Sequence, residues 1–144
     1  MIRKSTAVWK GNGLQGEGAL TTQSGVFTNQ PYSFKTRFQS EDGKAGTNPE
    51  ELLGAAHAGC FAMALSFALT DAGHAPQELR VVASVDLTKV ENGFAIRTIA
   101  LELEARVPGL DPVKFQTLAE GAKQNCPVSK ALAATPITLN AKLL

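Results

Sequence analysis

The feature that most constrains the fold is a run of nineteen residues without a formal charge, residues 52–70. The residues just before it form a helix start: Asn48 is a favourable N-cap, Pro49 suits the first helical position, and two glutamates follow in the first turn. Residues 71–73, Asp-Ala-Gly, form a stop signal at the other end. The sequence therefore predicts one long helix over this run.

The uncharged run is also long enough to span a membrane. However, six of its residues are alanine, two are glycine, and His57 lies within it, while neither flank is rich in basic residues. We therefore expect a core helix, buried nearly all round. A chain of 144 residues has little material to surround such a helix. Small residues such as Gly54 and Gly59 permit close approach, so the sequence predicts a homodimer in which two copies of the helix pack together.

The rest of the chain is predicted to form mainly strands, with two further helices near the end. Glu91-Asn92-Gly93 joins two long β-rich runs and is a strong hairpin signal. Asp111 and Pro112 start a helix that ends at about Gln124. This order indicates a single α+β domain, residues 1–144, rather than a dinucleotide-binding fold. The predicted strands are residues 5–9, 18–22, 32–38, 79–90, 94–107 and 136–143, and a short helix is predicted at residues 128–134.

Charge and composition exclude several classes of function. Fourteen basic residues oppose thirteen acidic ones, so we expect neither nucleic acid nor a membrane as a partner. The first nine residues contain no apolar signal core, which predicts a cytoplasmic protein. Two cysteines and two histidines are too few for a disulfide framework or a typical zinc site, so we expect no metal and no cofactor.

Cys60 and Cys126 are the candidate nucleophiles. Free cysteine is often buried and inert, and composition alone favours that structural interpretation. His57 lies three residues before Cys60, on the same face of the predicted helix, so a Cys–His pair for acyl transfer is geometrically conceivable. A core histidine bonded to a neighbouring polar group is the more common arrangement.

Arg37 and Glu50 are the candidate charged residues. Arg37 lies near the end of the predicted strand 32–38, where a solvated strand arginine is the simpler interpretation. Glu50 has a ready structural role, because its charge suits the first turn of the predicted helix.

Two segments resemble signatures of the OsmC/Ohr family of thiol peroxidases. Residues 48–61 read NPEELLGAAHAGCF, and residues 126–130 read CPVSK. Further matches occur from residue 25 to residue 111, so the resemblance covers essentially the whole chain. Residues 15–20 contain no arginine, whereas Arg37 is present, and this pattern is similar to the OsmC branch rather than the Ohr branch.

The resemblance implies an intertwined homodimer, with long central helices wrapped by antiparallel sheets. It also implies a peroxidase that reduces organic hydroperoxides to alcohols, and hydrogen peroxide more weakly, in stress defence. By this match Cys60 becomes a sulfenic acid and Cys126 resolves it as a disulfide. A dithiol or a thioredoxin-like protein would then restore both thiols.

Such chemistry gives Arg37 and Glu50 a possible role. Attack on a peroxide requires a thiolate, and burial opposes ionisation of Cys60 in the middle of a helix. Arg37 could stabilise that thiolate, and Glu50 could hold the guanidinium by a bidentate contact. Ten residues of continuous helix span about 15 Å, so Glu50 does not touch Cys60 of the same helix. Arg37 and Glu50 act either through the reach of the arginine or from a partner subunit.

Two other functions remain open at this point. The chain could be a non-catalytic stress or ligand-binding dimer with structural cysteines, or an acyl-transfer enzyme that uses Cys60 and His57.

Overall fold

Two three-stranded sheets, one in each of two units of the chain, organise the fold. The computed structural model describes all residues from Met1 to Leu144, and the units are Met1–Leu52 and Leu53–Leu144. The mixture of helices and sheets confirms the predicted α+β class. The assignment of residues 1–144 to a single domain stays a prediction.

The first unit holds an antiparallel sheet followed by one helical turn. Trp9 and Tyr32 lie on its outer strands, with their ring centroids 5.5 Å apart. Gly18 lies opposite both on the central strand, and a Cβ at Gly18 would collide with both rings, so this position requires glycine. The elements in order are β1 (Ser5–Lys10), β2 (Glu17–Thr22), β3 (Gln30–Ser33) and α1 (Phe34–Phe38).

The predicted strand 32–38 is wrong in its second half. The strand ends at Ser33, and α1 follows it directly. Ser33 and Thr36 form a reciprocal capping box: the Ser33 hydroxyl accepts from the Thr36 amide, and the Thr36 hydroxyl accepts from the Ser33 amide. These local hydrogen bonds compete with strand pairing and start a helix. Arg37 therefore lies on α1 and not at the end of a strand.

The long helix α2 (Pro49–Asp71) begins and ends as the sequence predicts. The Asn48 side chain accepts from the Glu51 amide at 2.8 Å, which caps the first turn. One face of α2 is buried, with His57, Phe61 and Leu65 fully enclosed. The expectation that α2 is buried nearly all round is wrong within one chain, since the opposite face of the helix is exposed to solvent.

The exposed face of α2 is apolar. Met63 is 65% exposed and Phe67 is 66% exposed, whereas large apolar residues on core helices are usually enclosed. A single chain is too small to cover a 23-residue helix on every side, as the sequence had suggested. The exposed apolar residues that line this face are Ala55, Ala56, Gly59, Met63 and Phe67.

The second unit contains a mixed sheet and two helices. β4 (Glu78–Val90) and β5 (Gly93–Arg106) form the predicted antiparallel hairpin, and Gly93 takes a positive φ of 127° at the turn. β6 (Ile137–Leu143) then pairs with β5 in parallel, so this pairing departs from the expected antiparallel arrangement. The two helices are α3 (Pro112–Asn125) and α4 (Pro127–Ala131).

The core of the second unit lies between α2, the sheet and α3. Alternate residues of β5 point into it, as the two-residue period of a strand requires. Gly54 brings α2 close to β4, because its Cα carries no side chain and a Cβ there would lie 3.1 Å from the Ala83 carbonyl oxygen. The largest core residues are Phe61, Leu65, Leu69, Leu101, Leu103 and Phe115.

Helix α2 is long and apolar enough to cross a membrane by length and composition alone. Core helices of soluble proteins meet the same criterion. Here the buried face of α2 packs into the core with β5 and α3, so the structure supports the core interpretation.

Candidate active site

The two cysteines, 66 positions apart in sequence, are in contact. Cys60 lies in the middle of α2, and Cys126 lies at the junction of α3 and α4. Both are free thiols, and their Sγ atoms are 2.8 Å apart in a hydrogen bond. The structure thus brings together the two side chains that the sequence marks as candidate nucleophiles.

The two sulfur atoms differ in their access to solvent. Cys126 is fully buried, whereas Cys60 is partly exposed. Cys60 is therefore the more accessible of the two thiols.

Local sequence explains the position of Cys126. Its amide donates to the Ala122 carbonyl at 2.8 Å and completes α3. Pro127 carries no amide hydrogen, so it cannot continue α3, but its fixed φ suits the first position of α4. The Cys126 carbonyl then accepts from the Lys130 amide at 3.0 Å. Both backbone groups of Cys126 are therefore engaged, one in each helix.

The environment of the pair favours different protonation states. Burial raises the pKa of Cys60, the hydrogen bond with Cys126 raises it further, and the Val128 amide acts in the opposite direction. Burial also opposes ionisation of Cys126. The hydrogen bond with Cys60 and the nearby polar groups of Ser129 and Val128 act in the opposite direction, and the pKa of Cys126 is lowered.

His57 bonds to Ser129 rather than to Cys60. Its Nε2 lies 2.8 Å from the Ser129 Oγ, and both residues are buried. The Nδ1 atom is buried without a hydrogen-bond partner. Burial lowers the pKa of His57, which keeps the ring neutral. The alternative Cys60–His57 pair for acyl transfer is therefore not formed, and His57 is a core histidine bonded to a neighbouring polar group, as the sequence favours.

Arg37 and Glu50 form a bidentate ion pair in the first unit. The Arg37 Nη2 donates to Glu50 Oε1 at 2.5 Å, and its Nε donates to Oε2 at 3.2 Å. The guanidinium also lies 4.9 Å from the centre of the Phe38 ring. Two parallel hydrogen bonds fix the plane of a guanidinium, so Glu50 orients Arg37 as well as neutralising part of its charge. The action of this ion pair on Cys60 stays a prediction.

Three further observations complete the site. Phe61 is fully buried in the core, so it does not line a substrate pocket next to Cys60. Ser129 was not identified from the sequence as a functional residue, although it lies in the segment CPVSK, three positions after Cys126. No group of three or more His, Cys, Asp or Glu side chains converges to hold a metal ion.

Comparison with known proteins identifies the family. A family model described as "OsmC-like protein" matches residues 41–142. The chain belongs to the OsmC family. The matched range contains Glu50, both cysteines and the whole of α2.

Named relatives are similar to this chain over a longer range than the family model, in one case over nearly its full length. Peroxiredoxin OsmC of Escherichia coli (strain K12) is 50% identical over 141 residues, which cover 98% of this chain and 96% of that protein. The organic hydroperoxide resistance protein of Xanthomonas axonopodis pv. citri (strain 306) is 40% identical over 90 residues, or 62% of this chain and 61% of that one. The crystal structure of the organic hydroperoxide resistance protein OhrB of Bacillus subtilis superposes with a TM-score of 0.68, at 26% identity and 98% coverage of both chains. Both branches of the OsmC/Ohr family are therefore related to this chain.

Proposed function

We propose that this chain is a thiol-dependent peroxidase that reduces organic hydroperoxides to alcohols, and hydrogen peroxide more weakly. The observation that carries the proposal is the contact of Cys60 and Cys126 Sγ atoms, 2.8 Å apart, with only Cys60 open to solvent. The names of its relatives, peroxiredoxin and organic hydroperoxide resistance protein, support the same class of reaction.

The first step is attack of the Cys60 thiolate on the outer oxygen of the hydroperoxide. An S–O bond forms and the O–O bond breaks. The alkoxide leaves and takes up one proton from water, equivalent to the proton that Cys60 released on ionisation, to give the alcohol. Cys60 becomes a sulfenic acid. Since only Cys60 is accessible, the buried Cys126 is the resolving residue.

The second step is capture of the sulfenic acid by Cys126. The sulfur of Cys126 attacks the sulfur of Cys60, and the hydroxyl group leaves as water with the proton that Cys126 has lost. The lowered pKa of Cys126 favours the thiolate that this step needs. Prompt capture protects Cys60 from further oxidation to the sulfinic acid. A dithiol or a thioredoxin-like protein then reduces the disulfide.

We assign to Arg37, held in place by Glu50, the role of the fixed cation that stabilises the Cys60 thiolate. Burial raises the pKa of Cys60, so its thiolate needs a positive charge at the moment of attack. A guanidinium held by a bidentate carboxylate is rigid, keeps its charge and can also stabilise the leaving oxygen. Helix α2 is continuous from Pro49 to Asp71, so the cation reaches Cys60 through the length of the arginine side chain or comes from the partner subunit's Arg37.

The active form is proposed to be a cytoplasmic homodimer. The exposed apolar face of α2 supports this assembly, because Met63 and Phe67 would otherwise stay in water. The small residues Ala55, Ala56 and Gly59 on the same face would allow a second copy of the helix to approach closely.

Thiol counting after oxidation tests the proposed function. Reduced protein is treated without oxygen with one equivalent of cumene hydroperoxide, and free thiols are counted by mass spectrometry. The peroxidase loses two thiols as a Cys60–Cys126 disulfide within seconds. A binding protein with structural cysteines shows no fast loss, and that outcome would overturn the proposal.

A further inference from the structure

A second side-chain contact joins the two segments that carry the cysteines. The His57 Nε2 atom lies 2.8 Å from the Ser129 Oγ atom, and the same distance separates the Sγ atoms of Cys60 and Cys126. His57 lies on α2 three positions before Cys60, and Ser129 lies in α4 three positions after Cys126. Side chains three positions apart on a helix are neighbours, so the polar contact lies beside the thiol pair.

The contact between His57 and Ser129 is buried. His57 has no exposed surface, and Ser129 is 6% exposed. The Nδ1 atom of the ring has no partner, so the bond to Ser129 is the one hydrogen bond that the imidazole makes. If α4 moved away from α2, the buried ring would be left with no hydrogen bond, which is unfavourable. The bond therefore resists separation of the two helices at this point.

Helix α4 depends on tertiary contacts for its orientation. It has five residues, and an isolated helix of this length is not stable in water. Val128 packs against the core, but apolar contact has no preferred direction. A hydrogen bond weakens steeply when its donor and acceptor are misaligned, so it fixes an orientation as well as a distance. The bond from His57 thus determines how α4 lies against α2.

We propose that the His57–Ser129 hydrogen bond is a latch that holds α4 against α2 and keeps the Cys126 sulfur within bonding reach of Cys60. Both residues are positioning residues, since the latch acts through the location of α4. The inference rests on the proposed peroxidase function. It assigns His57 and Ser129 to disulfide formation rather than to peroxide attack.

The latch acts on the second step because only that step needs both sulfurs. Peroxide attack uses Cys60, whose position is set by the continuous helix α2. In the second step the Cys126 sulfur attacks the Cys60 sulfur, the S–S bond forms, the S–O bond breaks and water leaves. A misplacement of about 1 Å between reacting atoms can slow a reaction about 100-fold. A small shift of α4 would therefore delay capture of the sulfenic acid.

Disulfide closure can be measured without peroxide. The thiolate of the partly exposed Cys60 attacks the sulfenyl sulfur of methyl methanethiosulfonate, and methanesulfinate leaves. The Cys126 thiolate then attacks the Cys60 sulfur of this mixed disulfide, and methanethiolate leaves and takes up a proton from water. Mass spectrometry after acid quenching measures the mixed disulfide and the Cys60–Cys126 disulfide with time. Closure is intramolecular, so the reagent does not have to reach the buried Cys126.

Two variants at position 57 separate the latch from the mere presence of a polar side chain. Glutamine places its amide nitrogen where the imidazole has Nε2, whereas asparagine places its own near Nδ1 and does not reach Ser129. We expect closure to be about tenfold slower in His57→Asn and within about twofold of wild type in His57→Gln. Leu69→Ala, in the core near the far end of α2, controls for lost stability and should close at the wild-type rate.

A double-mutant cycle shows whether His57 and Ser129 act as a pair. We expect His57→Leu and Ser129→Ala each to slow closure about tenfold, and the double variant to be no slower than either. Effects that multiply to about 100-fold would show that the two residues act separately, which would overturn the latch. Circular dichroism checks folding. If Ser129→Ala does not fold, the comparison of His57→Gln with His57→Asn decides.

The outcomes distinguish this inference from the proposed function. Equal closure rates in wild type, His57→Gln and His57→Asn would overturn the latch, whether or not the protein reduces peroxide. Equal slowing in His57→Asn and Leu69→Ala would overturn it too, because lost stability would then explain both. With hydroperoxide, His57→Asn should form the sulfenic acid within about twofold of the wild-type rate and capture it about tenfold more slowly. If wild type closes with the thiosulfonate but does not react with hydroperoxide, the proposed function fails while the position-57 variants still test the latch.

Discussion

The Sγ atoms of Cys60 and Cys126 lie 2.8 Å apart, the first on a long core helix and the second at the junction of two later helices. A disulfide needs about 2.05 Å between its sulfurs, so little movement separates the thiol pair from the oxidised form. The difference in exposure supports the proposed order of reaction, Cys60 first and Cys126 second.

Replacement of Cys126 by serine should stop the cycle after peroxide attack. In Cys126→Ser we expect one equivalent of peroxide to be consumed and a sulfenic acid at Cys60 to accumulate, because no second sulfur captures it. Dimedone labelling followed by mass spectrometry measures it. The matched variant Cys60→Ser should consume no peroxide, and fast consumption there would reverse the two roles.

Loss of the Arg37 guanidinium should slow peroxide attack without unfolding the protein. We expect Arg37→Ala to lower the second-order rate constant by about 100-fold, and Arg37→Lys to retain only part of the rate because it cannot form the bidentate contact. Since the ion pair is partly exposed, its loss should lower the free energy of unfolding by no more than about 1 kcal/mol. Arg106→Ala, which removes an exposed ion pair with Glu78, is the control. Full activity of Arg37→Ala would show that another group supplies the charge.

The buried His57 should make the folded state sensitive to acid. Burial lowers its pKa below the ordinary value of about 6.5, so below that value the unfolded chain binds a proton that the folded chain does not. The free energy of unfolding should therefore fall as the pH falls through this range, by at most about 1.4 kcal/mol per pH unit from this group. Urea unfolding at several pH values measures the slope. His57→Gln should flatten it, and an unchanged slope would assign the acid sensitivity to other groups.

A side chain at position 54 should destabilise the protein. A Cβ at this position lies 3.1 Å from the Ala83 carbonyl oxygen, a backbone atom held within the sheet. We expect Gly54→Val to lower the free energy of unfolding by about 1–3 kcal/mol, because α2 would have to move away from β4. Gly121→Ala in α3 has open space around its Cβ and should stabilise the protein by about 0.5–1 kcal/mol. Denaturant titration compares them, and a neutral Gly54→Val would show that the contact relaxes freely.

The apolar face of α2 should hold the proposed dimer together. A charge at Met63 or Phe67 would be buried without a partner in a helix-to-helix interface, so Met63→Glu and Phe67→Glu should shift the protein to a monomer. Sedimentation velocity measures this change. Val82→Glu, at an exposed apolar position of β4, should leave the assembly unchanged. A wild-type monomer at high concentration would contradict the proposed interface.

Much of the fold was predictable because its signals are local. The cap and proline before residue 50 locate the start of α2, and Asn92-Gly93 locates the hairpin of the long strands. The strand error at residues 34–38 has a local cause as well. Ser33 and Thr36 are compatible with both a strand and a helix, and their reciprocal hydrogen bonds stabilise the helix.

The features that sequence reasoning missed depend on contacts between distant residues. The parallel pairing of β6 with β5 cannot be inferred from the sequence of β6. Its alternation of more buried and more exposed residues is the same whichever way the strand runs. The bond of His57 to Ser129 joins residues 72 positions apart. The sequence offers Cys60 as a neighbour of His57, and only the folded chain shows that His57 bonds to Ser129 of α4.

The anchoring of Cys126 by both backbone groups has a consequence for the speed of the cycle. Because its amide belongs to α3 and its carbonyl to α4, the two sulfurs close and separate by rotation of side-chain torsions on a stationary main chain. Rotation about side-chain torsions does not require local unfolding, which takes microseconds or longer. Encounter with oxidant and reductant, rather than rearrangement of the polypeptide, would then limit each turnover.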